Sequence, residues 1–144
     1  MAGVRQVVVV VGVIALVLSI ARNGGAQVGG AGVTTTTLVQ SNTAVNGVPI
    51  EFPLFRNQFT VLQVEVAPGG QIGRHMHPAF HAVYTLEGEW VDIQDGQQPR
   101  TYRAGQTVIH SANTWEDVAN RTAAPVKLLV VFANEAGKPL TVRP

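Results

Sequence analysis

Residues 69–88 of this chain read GGQIGRHMHPAFHAVYTLEG and contain three of its four histidines. His75, His77 and His81 are separated by even intervals, so on a strand their side chains would point to one face. Pro78 is expected to interrupt the strand between the last two, because proline cannot donate a ladder hydrogen bond. Neutral imidazole is the commonest metal ligand among side chains. The stretch therefore predicts a metal site whose remaining ligand lies elsewhere in the chain.

Short strand-like segments separated by turns surround this stretch, and no segment after residue 26 has a helical period over three turns. The threonine run at 34–37 is expected to merge with Leu38 and Val39 into a first edge strand, and Asn46-Gly47 predicts a tight turn. The regular spacing predicts an all-β fold, a single antiparallel sandwich or barrel. The predicted strands are Phe59–Val66, Ala82–Leu86, Glu89–Gln94, Thr107–His110, Trp115–Ala119 and Lys127–Phe132.

The N-terminal segment has the organisation of an export signal. One basic residue, Arg5, precedes an apolar run at 7–20, and small residues end at Ala26. This run is short for a membrane span of roughly 20 residues, so we expect a cleaved signal peptide at 1–26, with an uncleaved anchor as the alternative. The protein is then exported, periplasmic or secreted, and membrane contact is limited to this segment. Residues 27–37 are a flexible Gly- and Thr-rich lead-in, and 38–144 form the barrel domain.

Composition excludes several classes of protein. Without residues 1–26 the chain has eight basic and nine acidic residues, a net charge near −1, and no Lys/Arg cluster. Binding to nucleic acid is therefore not expected. The absence of cysteine excludes a disulfide framework and a thiolate metal site.

Two glycine-anchored segments are spaced like known motifs. The first is Gly69-x5-His75-x-His77-x3-His81-x6-Gly88, and the second is Gly105-x10-Glu116-x3-Asn120. They resemble the two motifs of the cupin superfamily, G-x5-H-x-H-x3-4-E-x6-G and G-x5-P-x-G-x2-H-x3-N. Ser111 and Asn113 replace the proline and glycine of the second motif. The resemblance spans roughly residues 50–143 and implies a small β-barrel of the jelly-roll type.

The resemblance also implies a ligand set. Cupins bind one divalent metal with two histidines and a glutamate of the first motif and a histidine of the second. His75 and His77 match directly, whereas His81 stands where the family has glutamate and Glu116 where it has histidine. The predicted set is still three imidazoles and one carboxylate, with two members exchanged. Such mixed nitrogen and oxygen ligation suits iron, manganese, nickel, copper or zinc.

Two residues have predicted catalytic roles. Glu116 is expected either to ligate the metal or to dissociate from it and act as a base. His110 lies on the strand that enters the second motif, where it would move protons, support a ligand, replace one of the ligands or be an ordinary hydrogen-bonded strand histidine. Asp117, one residue beyond Glu116, should face the opposite way.

The resemblance implies a function only broadly, because one fold hosts many chemistries. The first expectation is a metal-dependent dioxygenase of the quercetinase-like type that acts on a small organic substrate. The alternatives are a non-redox isomerase or lyase that uses the same ion, and a periplasmic module that binds metal or a small molecule without chemistry. Cupins commonly dimerise through sheet edges, and a homodimer through the edge at 34–39 is expected here.

Overall fold

The structure, a computed structural model, describes residues 36–144. The predicted signal peptide at 1–26 and most of the predicted lead-in lie outside these residues. Within 36–144 no helix is present that could cross a membrane. The described residues form eight strands: β1 (Asn57–Val66), β2 (His75–Met76), β3 (His81–Glu87), β4 (Glu89–Gln94), β5 (Arg100–Arg103), β6 (Thr107–His110), β7 (Trp115–Ala119) and β8 (Val126–Glu135).

These strands form two four-stranded antiparallel sheets. One has the order β1-β8-β3-β6 and the other β2-β7-β4-β5. Neighbouring strands in each sheet are mostly distant in sequence, as in a jelly roll, which is two interleaved Greek keys. The predicted fold class, a single antiparallel jelly-roll barrel, is confirmed.

The core lies between the sheets and follows from alternation along the strands. Every second residue of β8 from Val126 to Asn134 is buried, which is the period-2 pattern of a strand with one face inward. Trp90 of β4 is fully buried, and its indole Nε1 donates a 2.9 Å hydrogen bond to Thr85 Oγ1. The remaining core is aliphatic or aromatic: Val66, Val83, Val108, Val118, Leu128, Val130 and Phe132.

The strand predictions were wrong at the N-terminus and incomplete elsewhere. Residues 36–39 are exposed and form no strand, since no backbone hydrogen bond pairs them with another described segment. The Asn46-Gly47 turn is present, with a single bridge between Thr43 and Pro49 beside it. The strand expected at His75 and His77 is present as β2, with only two residues. The strand that the sequence did not reveal is β5, which reads Arg-Thr-Tyr-Arg and has the polar character of an edge strand.

The backbone conformation explains the residue type at two positions of the glycine-anchored motifs. Gly88 has a φ of +81° in the β3–β4 turn, and a Cβ there would lie 2.8 Å from the Pro125 carbonyl oxygen. Asn113, which stands where the second motif has glycine, has a φ of +58°, a conformation that asparagine tolerates better than most residues. The backbone amide of Asn113 donates a 2.8 Å hydrogen bond to the His77 carbonyl oxygen. The turn of the second motif is thereby tied to a histidine of the first.

Candidate metal centre

Strand pairing brings the four predicted ligands together. His75 on β2 is the register partner of Glu116 on β7, while His81 is the first residue of β3 and pairs with His110 of β6. His77 follows β2, and its ring lies 4.9 Å from that of His75 and 4.5 Å from that of His81, measured between ring centroids. All five residues are buried.

The histidine nitrogens converge on one carboxylate oxygen. The Nε2 atoms of the three first-motif histidines lie 3.4 to 3.7 Å from Glu116 Oε1. An ion with ligands at about 2.1 Å holds neighbouring ligand atoms about 3 to 3.5 Å apart. The separations of the nitrogens from Glu116 Oε1 are close to what an ion requires. By the distances among all donor atoms, the residues form two groups that share Glu116: His75 and His77 with Glu116, and His81 and His110 with Glu116.

Hydrogen bonds to backbone carbonyls fix the tautomer of each imidazole. The Nδ1 atom of His75 lies 2.8 Å from Gly73 O, that of His77 2.6 Å from Leu140 O, and that of His81 3.4 Å from Ala79 O. A carbonyl oxygen only accepts, so each Nδ1 carries a hydrogen, which leaves Nε2 as the ligand atom of each ring. This arrangement is usual for metal-binding histidines.

The donor set therefore fits a cation. Three Nε2 lone pairs face a carboxylate oxygen in a buried space, and these groups would repel one another without a positive charge between them. A proton on one imidazole could supply that charge, but burial, followed by the proximity of His81, lowers the pKa of His77 to about 4. Burial likewise lowers the pKa of His81. The set has the neutral nitrogens and single carboxylate that a divalent metal would need.

Behind Glu116 lies a second pair of buried charged groups. His110 Nδ1 is 2.8 Å from Glu116 Oε2, and His110 Nε2 is 3.2 Å from Asp92 Oδ2. Neither contact has the alignment of a hydrogen bond, so they are close ion-pair contacts. Glu116 thus directs one oxygen to the three histidines and the other to His110.

The two carboxylates determine the charge of His110. Burial alone would lower the pKa of its imidazole, but Asp92 and Glu116 outweigh this effect and raise the pKa to about 9. Burial would raise the pKa of Glu116, but His110 and then His81 outweigh it and hold that pKa well below its usual range. At neutral pH the cluster contains an imidazolium between two carboxylates.

These shifts predict how the stability of the metal-free protein depends on pH. The lowered pKa of His77 means that the unfolded chain binds this proton more readily, so stability falls as the pH drops from 6.5 towards 4. The raised pKa of His110 gives stability that is complete below pH 6.5 and is lost as the pH rises to about 9. The alkaline loss is on the order of 3 kcal/mol. Urea unfolding with chelator present should therefore be most resistant near pH 6.5.

A His110→Gln variant is the control for the alkaline side, because glutamine does not titrate. Its unfolding midpoint should change less between pH 6.5 and 9 than that of the unaltered protein. A wild-type midpoint that stays constant or rises over this interval would contradict the assigned charge of His110.

Asp117 faces away from the histidines, as its position beside Glu116 on a strand predicts. Its carboxylate accepts a 2.9 Å hydrogen bond from the Gly73 amide and a second one from Gln71 Nε2. Since Gly73 O accepts from His75 Nδ1, Asp117 orders the loop that orients His75.

The cluster lies in the wall of a cavity of about 270 Å³ between the two sheets. Its other walls are mostly aliphatic, from Leu62, Val64, Ile72, Val83, Val118, Leu128 and Val130, together with Thr141 and Arg143 of the C-terminal segment. A larger surface groove of about 480 Å³ near Phe52 and Phe80 does not include the cluster. The cavity is therefore the space in which a molecule would meet these histidines.

Two features of the site were missed in the sequence. Asp92 shares the inward face of β4 with Trp90, and a charged residue at an inward position of a buried strand is a signal that a partner charge lies opposite. The C-terminal segment carries no such signal. Its role arises from the bridge between Met76 and Val142, which holds Thr141 and Arg143 against the cavity.

Comparison with solved structures shows similarity to several proteins of the same fold. DMSP lyase DddQ from Ruegeria pomeroyi DSS-3 matches with a TM-score of 0.54 and 23% identity over 58% of this chain and 42% of its own. An oxalate oxidase matches with a TM-score of 0.53 and 24% identity, over 58% and 45%. The oxalate decarboxylase of Lactobacillus farciminis matches with a TM-score of 0.51 and 21% identity, over 58% and 26%. The chain thus spans less than half the length of each, and these likenesses show the fold alone.

Sequence comparison gives the family. No curated protein sequence is significantly similar to this chain. A family profile described as "Cupin domain" matches residues 62–132, a range that begins in β1, ends in β8 and includes all five residues of the cluster. Together with the jelly-roll topology, this match shows that the protein belongs to the cupin superfamily.

Proposed function

We propose that this protein is a metal-dependent enzyme, a dioxygenase or related oxidoreductase that acts on a small organic substrate. The observation that carries the proposal is the convergence of three Nε2 atoms and Glu116 Oε1 at the wall of an apolar cavity. His75, His77, His81 and Glu116 would hold the ion. A divalent iron, manganese, nickel, copper or zinc ion would supply Lewis acidity there and, where it is redox-active, electron transfer with dioxygen.

The remaining groups have roles that follow from their contacts. His110 Nδ1 holds a proton 2.8 Å from Glu116 Oε2, so a proton can be retained beside the ligand set during a reaction. Asp92, 3.2 Å from His110 Nε2, keeps that imidazole charged and oriented. The aliphatic walls of the cavity exclude water from a bound substrate.

Export and assembly belong to the same proposal. The segment at 1–26 supports an exported, periplasmic or secreted enzyme, which would acquire its metal outside the cytoplasm. A homodimer remains our expectation. The segment at 34–39 stays the place at which we expect its contact, and residues 36–39 are exposed in the single chain.

Metal analysis and oxygen consumption test the proposal together. The full chain, purified from its native compartment, should contain about one transition-metal ion per molecule. It should consume oxygen with at least one member of a panel of catechols, enediols, 1,3-diketones and carboxylate-bearing analogues. His77→Ala should lose both the metal and the activity. It should retain its strand content by circular dichroism, because the two sheets hold the fold and His77 lies outside the strands.

Three outcomes would contradict the dioxygenase. Turnover that persists without oxygen would indicate a non-redox isomerase or lyase. Tight ligand binding with no product by mass spectrometry would indicate a binding module. A protein that contains only zinc and is inert to oxygen would exclude the redox chemistry.

A further inference from the structure

The cavity beside the metal centre has one cationic side chain apart from the cluster itself. Arg143 lines the cavity and is exposed, and its Nη1 donates a 3.2 Å hydrogen bond to the Ile72 carbonyl oxygen. Within residues 36–144 no carboxylate lies within ion-pair distance of this guanidinium. Most of its donors are therefore available to a ligand.

The position of Arg143 is set by backbone pairing. The Met76 amide donates to Val142 O at 3.0 Å, and the Val142 amide donates to Met76 O at 2.9 Å. In an extended segment alternate side chains share a face, so Thr141 and Arg143 both face the cavity that Val142 turns away from. Arg143 is thus held at the cavity although it lies one residue from the end of the sequence.

Size and polarity limit what the cavity can hold. Its volume of about 270 Å³ is just below the range of about 300 to 1,000 Å³ typical of sites for drug-sized ligands. The seven aliphatic side chains of its walls favour a ligand with a compact apolar body. The guanidinium offers planar paired donors that suit a carboxylate.

The charge of the metal-loaded centre also favours a ligand that carries a carboxylate. The predicted ligand set has one carboxylate, so a divalent ion held by it would retain one positive charge (+2 − 1 = +1). Together with Arg143 this charge makes both polar regions of an apolar cavity positive. An anion is stabilised by such a field, whereas an amine of the same shape is repelled.

We propose that the cavity binds small organic monocarboxylates, with the carboxylate at Arg143 and the apolar body against the aliphatic walls. The proposal rests on the proposed function, because it assigns the substrate class of the same site. The molecule's other end then faces the cluster.

Calorimetric titration of the metal-loaded full chain tests the proposal. Hexanoate and benzoate should bind up to about fivefold more tightly than hexanamide and benzamide, since fivefold is the upper end of the effect of an exposed ion pair. Hexylamine should not bind. Arg143→Gln should lower the preference for the acid over the amide to the part that the charge of the metal centre supplies, while Arg143→Lys should keep more of it. The matched control is Arg121→Gln, since Arg121 is exposed and does not line the cavity.

Failure of this proposal can be distinguished from failure of the proposed function. Equal binding of acid and amide by the unaltered protein, or an unchanged preference in Arg143→Gln with normal metal content, would overturn the carboxylate assignment and leave the metal centre intact. If the unaltered protein binds no metal, the proposed function fails. The same titrations on the metal-free protein then test whether Arg143 binds the carboxylate. If it does, the metal-free protein should still bind hexanoate more tightly than hexanamide.

Discussion

Glu116→Gln is expected to weaken metal binding more than about 100-fold. Mutations of groups that only support a ligand typically cost 10- to 100-fold, and Glu116 supplies the one oxygen on which all three Nε2 atoms converge. An amide oxygen retains the shape but not the charge that balances the ion. The substitution also removes the negative charge beside His110 Nδ1, so a positive imidazolium would face the ion without a carboxylate between them.

Competition between the protein and a chromophoric chelator, with Zn²⁺ and Ni²⁺ in separate titrations, measures this loss. Glu65→Gln is the matched control, because Glu65 is exposed on β1 and is not among the residues that line the cavity with the cluster. Thermal unfolding of the metal-free variants shows whether the fold survives. A folded Glu116→Gln variant with the metal affinity of the Glu65→Gln protein would show that Glu116 is not a ligand.

Much of the fold could be predicted from the sequence because alternation and turns are local signals. Three predicted strands, Glu89–Gln94, Thr107–His110 and Trp115–Ala119, have the bounds seen in the structure. The edge at 34–39 was wrong over the part that the structure describes. Threonine has high strand propensity, but residues 36–39 make no backbone hydrogen bond to another described segment, and propensity alone cannot form a strand.

Only those site residues that belong to the two spaced motifs could be predicted from the sequence. Even intervals place His75, His77 and His81, and the second motif places Glu116, whose roles as ligands stay a prediction. The contacts of Asp92 with His110 and of Arg143 with the cavity depend on which strands become neighbours in space. That pairing is a long-range property which no local pattern encodes, so these two residues became visible only in the structure.

The exchange of His81 and Glu116 gives the second prediction with a large effect. His81→Glu alone should place two carboxylates among the ligands. In the metal-free protein, like charges so close together disfavour the ionised form of one of them, so that a proton held there competes with the ion. Glu116→His alone should leave four imidazoles beside a charged His110, with no carboxylate to balance the ion. Each single variant is expected to bind Zn²⁺ and Ni²⁺ more than about 100-fold more weakly.

The double variant, His81→Glu with Glu116→His, should recover most of the affinity, to within about tenfold of the unaltered protein. His110 is the reason, because it contacts both positions: it is the cross-strand partner of His81, with ring centroids 4.9 Å apart, and its Nδ1 lies 2.8 Å from Glu116. The exchange therefore keeps one carboxylate beside His110 and three imidazoles around the ion, in the order of the cupin motifs. A double-mutant cycle on the metal affinities measures the coupling directly. If the losses of the two single variants simply add in the double variant, positions 81 and 116 do not share an ion.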